Sequence, residues 1–409
     1  MMIDYLALGE ELDPEDYLIC EYKVKSDLPI ETAGVRIAEE ESTGTWTMPT
    51  TLSDDIFDRY GAKVVKAEGN RVTIGYPIVD FSGSVGEVPQ ILSIVAGNLF
   101  GLDALDGVRL ENIRIPPGII NGYPGPRFGI EGLRRLLDRP EKPFVGTIVK
   151  PKIGLPPKEF SDYVYEAGKG GLTNSKDDET LVDQDFCPLE ERVSMVSEKL
   201  DVLEEEGHKM IHAHNISTSA HRILEAADTA IDNGARQLMV DVLTVGFSGV
   251  QALAEDPSIK VPIHVHRAMH GAITRNPDHG ISMPVIAKLV RMVGGDSFHT
   301  GTYGVGKMHA DVSEEMNSKE MLLGDMYGIK KVIPVASGGL HPGLIPQLLE
   351  KSGLDVQIQA GGGVSGHPDG VRAGGAAMVQ ALDAAVEGIE LEEYAGEHEE
   401  LKKALEKWM

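Results

Sequence analysis

From about residue 143 the chain alternates short apolar runs with longer amphipathic stretches. The runs predict strands over Phe144–Lys150, Leu172–Lys176, Met210–Asn215, Gln237–Val242, Ile263–Arg267, Ser297–Thr300, Val332–Ala336 and Val356–Gln359. Helical spacing fills gaps between them, as in Pro157–Ala167, Leu189–Glu206, Ser219–Asn233 and Met283–Val293. Eight β/α units over roughly 250 residues are the signature of a TIM (β/α)8 barrel, an α/β fold. The barrel domain is expected over 136–409, with Leu391 to Trp408 as a charged helical tail.

Residues 1–135 have a different texture and predict an N-terminal α+β (ferredoxin-like) domain. Tyr17–Lys25 alternates as a strand does. Ala62–Ala67 and Arg71–Tyr76 flank a Glu-Gly-Asn turn and read as a hairpin. Val88 to Phe100 predicts a helix ending near Asn98 and Gly101. Two polar islands, Glu40–Trp46 and Gly97–Gly101, read as loops, and by themselves say nothing more.

Composition narrows the functional classes. The length of 409 residues suits two domains, or one barrel with an extra module. A net charge of −26 argues against a nucleic-acid binder and against an anionic membrane surface. Cys20 and Cys187 are the only cysteines, which gives no disulfide framework or cysteine-based zinc site and suits a reducing cytoplasm. The first residues lack the basic region and apolar core of a signal peptide, and no apolar run approaches the ~20 residues of a membrane helix.

In such a barrel the active site lies at the C-terminal ends of the strands, and the unusual residues fall there. The first strand delivers Lys150-Pro-Lys152. The second delivers Lys176, Asp178 and Glu179. On a strand, residues two apart share a face, so Lys176 and Asp178 can point together while Glu179 swings in at the turn. Neighbouring carboxylates repel unless a cation lies between them, and a hard divalent ion such as Mg²⁺ prefers oxygen ligands. An ammonium cannot ligate a metal, whereas a lysine amine that has reacted with CO₂ offers carbamate oxygens. The plainer reading of this stretch is a charged cluster on a solvated loop. The third strand ends in His212-Ala-His214-Asn215. The fifth ends in His264-Val-His266-Arg267, with His270 beyond. The sixth gives His299 and then a glycine-rich loop carrying Lys307. Ser337-Gly338-Gly339 and Gly361-Gly362-Gly363 follow strands seven and eight, where barrels commonly bind phosphate. Arg267 and His299 offer a second anion site, so a bisphosphate ligand is consistent with the pattern. The two His-x-His pairs also allow a binuclear metallohydrolase, although such enzymes usually carry that motif on the first strand.

Together these residues resemble the large subunit of ribulose-1,5-bisphosphate carboxylase (RuBisCO) over nearly the whole chain. The most specific pieces are Glu40–Trp46, Lys150–Gly154, Gly170–Glu179, His264–His270, Ser337–Gly339 and Gly361–Pro368. The ending Ala-Leu-Glu-Lys-Trp, without a long tail, is similar to the archaeal form III branch, which works without small subunits. The resemblance implies that Lys176 is carbamylated by an activating CO₂ and holds Mg²⁺ with Asp178 and Glu179. It implies acid/base roles for Lys150 and His266, a tuning role for Lys152, and a mobile-loop role for Lys307 against the new carboxylate. It implies phosphate contacts by Arg267 and His299 on one side. On the other side it implies Gly338, Gly339, Gly361 and Gly362 with Thr45 and Trp46. Asn215 and Ser337 become polar substrate contacts. Glu40, Thr45, Trp46 and Asn98 would come from a neighbouring subunit, making a homodimer or higher homo-oligomer the catalytic unit. The reaction implied is addition of CO₂ to ribulose-1,5-bisphosphate, giving two 3-phosphoglycerates. An oxygenase side reaction would add the oxidoreductase and monooxygenase classes to a carbon–carbon lyase.

The chain departs from plant-type enzymes at Ile148, where a threonine is expected. It departs again around Lys307, where the preceding loop is one residue longer and His309 replaces an acidic residue. The alternative is a RuBisCO-like enolase or isomerase of another sugar-type phosphate. Such proteins typically lose several of these residues, often the loop lysine. A non-catalytic sugar-phosphate binder would not need the acid/base set.

Overall fold

The computed structural model describes residues 4–45, 47, 49–81, 87–307 and 311–409, so Trp46 and His309 lie outside the described residues. The chain forms two compact units. One comprises Met1–Tyr123 with Met269–Leu289, the other Pro124–Ala268 with Val290–Met409.

The first unit is built on a five-stranded sheet. Its strands are β1 (Tyr17–Lys25), β2 (Lys63–Glu68), β3 (Arg71–Pro77), β4 (Gly107–Arg114) and the two-residue β10 (Gly280–Ile281), in the order β10-β4-β1-β3-β2. The expected hairpin pairs antiparallel, with Val64 opposite Ile74. Alternation in β1 puts Leu18, Cys20, Tyr22 and Val24 on one buried face. The buried Tyr22 hydroxyl donates to the Val95 carbonyl at 2.7 Å and lies 3.0 Å from the Tyr76 hydroxyl. The helix Ile30–Glu40 rests on this sheet through Ala33, Gly34, Ile37 and Ala38. A Cβ at Gly34 would stand 2.9 Å from Val72 Cγ1, so the close approach requires glycine.

The helix expected from Val88 to Phe100 stops at Val95, and a separate 3-10 turn covers Leu99–Gly101. The cause is local. The Glu41 carboxylate accepts from the backbone N–H groups of Gly97 (3.0 Å) and Leu99 (2.6 Å), drawing both away from a helical ladder. Asn98 is left at the corner, its amide donating to Glu40 at 3.3 Å.

The second unit is a closed parallel barrel of β5 (Phe144–Ile148), β6 (Asn174–Lys176), β7 (Ile211–Asn215), β8 (Gln237–Asp241), β9 (Ile263–His266), β11 (Ser297–His299), β12 (Ile333–Ser337) and β13 (Gln357–Gln359). These are the eight strands expected from the apolar runs. Helices return each strand to the next, and the core between barrel and helices is apolar, with Phe160, Val164, Leu200, Leu203, Ile358, Met378 and Leu382 all buried. The charged tail forms short helical turns at Leu391–Tyr394 and a helix at Glu399–Trp408. Leu401 and Ala404 are buried in the latter. Among the described residues no helix is long and apolar enough to cross a membrane.

Candidate active site

Six strand ends bring their polar residues together. Strand β6 ends at Lys176, whose side chain is 1 % exposed. Its Nζ donates to the Asp177 carbonyl at 2.9 Å and lies 3.9 Å from Glu179 Oε2. Burial pushes the Lys176 amine below its ordinary pKa, and the nearby Glu179, Asp178 and Asp241 carboxylates only partly oppose this. A buried amine held toward its neutral form is a nucleophile, which an exposed ammonium is not. Lys150 Nζ is 2.7 Å from Asp178 Oδ2, and Lys152 Nζ reaches Glu179 Oε1 at 3.3 Å and Asp178 Oδ1 at 3.7 Å. Burial alone would raise the Glu179 carboxyl, but Lys176 and His266 hold it down at about 2. Two carboxylates thus sit among three lysine amines in one pocket.

The expectation that Lys176 and Asp178 share a strand face was too regular. The strand stops at Lys176, and the chain turns, so Asp178 pairs with Lys150 while Glu179 approaches Lys176. Asn215 helps hold that turn. Its amide donates to the Asp178 and Glu179 carbonyls at 3.4 and 3.3 Å.

On the next strands, His266 Nε2 is 3.8 Å from Glu179 Oε2, and its Nδ1 is 2.6 Å from Asp241 Oδ1. Asp241 was missed by sequence reasoning. It is a single carboxylate closing an apolar strand, Gln237-Leu-Met-Val-Asp241, and no spacing motif marks it. Its effect is clear from the geometry. Asp241 and the Ala268 N–H, 3.1 Å away, both hold the ring at Nδ1, which orients Nε2 toward the carboxylate pocket. His299 stacks edge-to-face on His266 with ring centres 4.6 Å apart. Arg267 is enclosed enough that burial lowers its guanidinium to about 10.

The loops after β11, β12 and β13 lie close to one another. The Lys307 N–H donates to the Gly338 carbonyl at 3.0 Å, while the Lys307 side chain crosses Gly339 so closely that a Cβ there would collide with it. A Cβ at Gly361 would stand 3.0 Å from Lys150 Cε. Gly338 and Gly339 both have positive φ, at 130° and 80°. Without side chains at Gly339 and Gly361, Lys307 and Lys150 pass close to the backbone there. Gly362 opens a short helical turn, and Ser337 closes β12. Thr45, Glu40 and Asn98 belong to the other compact unit.

The third strand behaves differently from expectation as a site element. His212 packs edge-to-face on Phe160 at 5.6 Å, so it faces the helices. Asp177, His212 and His214 lie close enough together to hold a metal. However, both Asp177 oxygens are already engaged: Oδ1 by His212 Nε2 at 2.8 Å, Oδ2 by Arg192 at 3.0 Å and by the Asn215 N–H at 2.7 Å. A cation beside the buried Arg192 guanidinium would meet like charge. With its oxygens already taken up inside the protein, this group does not support the binuclear-hydrolase reading.

A parallel barrel with lysine, histidine and paired carboxylates converging at its strand ends defines an enzyme of the TIM-barrel class. Comparison with known proteins specifies it. Residues 129–408 match the family model "Ribulose bisphosphate carboxylase large chain, catalytic domain", and residues 6–119 match the N-terminal domain of the same chain. The ribulose bisphosphate carboxylase of Methanocaldococcus jannaschii is 41 % identical, covering 99 % of this chain and 100 % of the relative. The octameric Rubisco of Pyrococcus horikoshii superposes with a TM-score of 0.93 at 39 % identity, over 99 % of this chain and 96 % of that one. The dimeric archaeal Rubisco of Hyperthermus butylicus gives 0.90 at 36 % identity, over 99 % and 98 %. The chain therefore belongs to the RuBisCO large-chain family, with archaeal relatives. One expectation is corrected: the family model and relatives are named for carboxylation, so the oxidoreductase and monooxygenase classes do not describe this chain.

Proposed function

We propose that the chain is an Mg²⁺-dependent ribulose-1,5-bisphosphate carboxylase, a carbon–carbon lyase that joins CO₂ to the sugar bisphosphate and yields two 3-phosphoglycerates. The observation that carries this is the convergence of Lys150, Lys176, Asp178, Glu179 and His266 in one pocket. Lys307 lies on the adjoining glycine loops.

The donor set fits the implied metal once Lys176 has reacted. The neutral amine adds to CO₂, forms the N–C bond and releases a proton, replacing an ammonium with an anionic oxygen donor beside two carboxylates. The carbamate, Asp178 and Glu179 would hold Mg²⁺, which supplies Lewis-acid polarisation of the substrate carbonyl.

The chain's own groups account for the proton movements. The Lys176 carbamate takes the C3 proton of the bisphosphate to start enolisation. Lys150 gives and takes the proton at C2, with Lys152 beside it and the Asp178 carboxylate 2.7 Å away. His266, fixed by Asp241, moves a proton on and off the hydroxyl oxygens. Lys307 meets the new carboxylate and, with its loop, keeps water from the enediolate. Arg267 and His299 take one phosphate; Gly338, Gly339, Gly361 and Gly362, with Thr45 and Trp46, take the other. Asn215 and Ser337 are polar substrate contacts.

Relatives described as octameric and dimeric support a homo-oligomer without small subunits, in which Glu40, Thr45, Trp46 and Asn98 complete a neighbour's site. The two unpaired cysteines suit work in the cytoplasm. The test is anaerobic: protein preincubated with CO₂ and Mg²⁺ should carry labelled CO₂ into acid-stable 3-phosphoglycerate. Proton exchange on the sugar phosphate without fixation would instead support an enolase or isomerase.

A further inference from the structure

We propose that Ser297 and His264 act as a buried positioning relay that fixes the tautomer of His299, so that His299 presents Nδ1–H as a donor to a substrate phosphate. The inference deepens the reading of His299 as a phosphate contact and rests on it.

Ser297 opens β11 and pairs in register with His264 of β9. Both are fully buried. Ser297 Oγ is 2.8 Å from His264 Nδ1, and His264 Nε2 is 2.9 Å from His299 Nε2. Two nitrogens facing each other at that distance must share one proton, and two arrangements are possible. In the first, the hydroxyl donates to His264 Nδ1, His264 Nε2–H donates to His299 Nε2, and the proton of His299 is on Nδ1. In the second, every donor is reversed, and the serine hydrogen is left without an acceptor, since Ser297 Oγ has no other partner among the described residues. A buried hydroxyl hydrogen without an acceptor costs about 1–3 kcal/mol, which selects the first arrangement. Burial keeps both imidazoles neutral, so a choice of tautomer exists to be made.

Among the described residues, His299 is hydrogen-bonded through Nε2 alone. Its Nδ1 is neither hydrogen-bonded nor among the enclosed unpaired atoms, and the residue retains 5 % exposure. Arg267 lies near enough to bias the His299 imidazole further toward neutrality. A neutral histidine can serve an anion only through an N–H. With the opposite tautomer, a lone pair would face the phosphate and repel it.

Two measurements test the relay. In protein labelled with ¹⁵N-histidine and free of substrate, His299 should show a protonated Nδ1 and an unprotonated Nε2. The reverse would overturn the proposal. In kinetics, Ser297→Ala should raise KM for ribulose-1,5-bisphosphate about tenfold, the scale of one hydrogen bond to a charged group, with kcat nearly unchanged. Ser297→Thr, which keeps the hydroxyl, should restore KM. Equal KM for wild type and a folded Ser297→Ala variant would overturn the relay. If wild type turns over no bisphosphate, the functional reading fails, and the spectrum still decides the tautomer.

Discussion

The barrel contains the same cross-strand device twice and uses it in opposite ways. Ser175 of β6 faces His212 of β7 in register, with Oγ 2.6 Å from Nδ1. Ser297 of β11 faces His264 of β9 in the same manner. The first pair lies on the helix side, and its far nitrogen ends on Asp177, which Arg192 neutralises; every connection closes within the protein. The second pair ends on His299, which keeps one nitrogen open. Side chains alternate across a strand, so a shift of one position decides whether a polar pair braces the helices or serves the mouth. Serine and histidine in register therefore do not reveal function. What the chain of hydrogen bonds ends on does.

The largest effect should come from the pocket itself. Lys176→Ala should abolish carbon fixation, a loss of at least ~10³-fold, because it removes the amine that would react with CO₂. A variant that still fixes CO₂ would show that Lys176 is only a core residue. Next is the closed network. Arg192→Met leaves the Asp177 carboxylate buried without its cation and should cost about 3–5 kcal/mol in denaturant unfolding. A loss below about 1 kcal/mol would mean that the helix-side network is not a structural brace. Asp241→Ala should lower kcat about a hundredfold with little change in stability, the scale of one misplaced acid/base group. Equal losses in kcat and folding would make Asp241 structural, like Asp177.

A pH experiment sharpens the comparison further. His214, on the closed side, and His264 and His299, on the open side, are all held well below their ordinary pKa by burial. The unfolded chain binds protons at these residues below about pH 6.5, whereas the native state does not. Their stabilising contribution is thus present above that pH and declines as the pH falls through it. Denaturant titrations between pH 7.5 and 5, on the order of these limits, should show stability falling with acid, and His264→Gln should make the slope shallower. A flat profile would contradict neutral burial. The smallest effect should be at the exposed Arg372–Glu166 pair, 2.9 Å apart. Arg372→Ala should change stability by less than about 1 kcal/mol.

The barrel was legible because its strands are apolar runs between amphipathic helices, a signal spread over many residues. The pocket was legible where residues cluster in sequence, as at Lys150-Pro-Lys152 and Lys176–Glu179. Asp241 and Ser297 were not, because each becomes functional only through a partner on another strand, His266 or His264. The end of the Val88 helix was blurred for a similar reason: the Glu41 carboxylate that stops it lies more than fifty residues away in sequence. The histidines of β7 misled in the other direction, since His-x-His has one appearance on either face of a strand.

The most direct test of the central claim is to look for the carbamate. Protein equilibrated with ¹³CO₂ and Mg²⁺ should show a ¹³C carbamate resonance that is lost in Lys176→Ala, and trapped adducts should map by mass spectrometry to Lys176. Carbon fixation by a protein with no adduct at Lys176, or with its adduct at another lysine, would contradict the account.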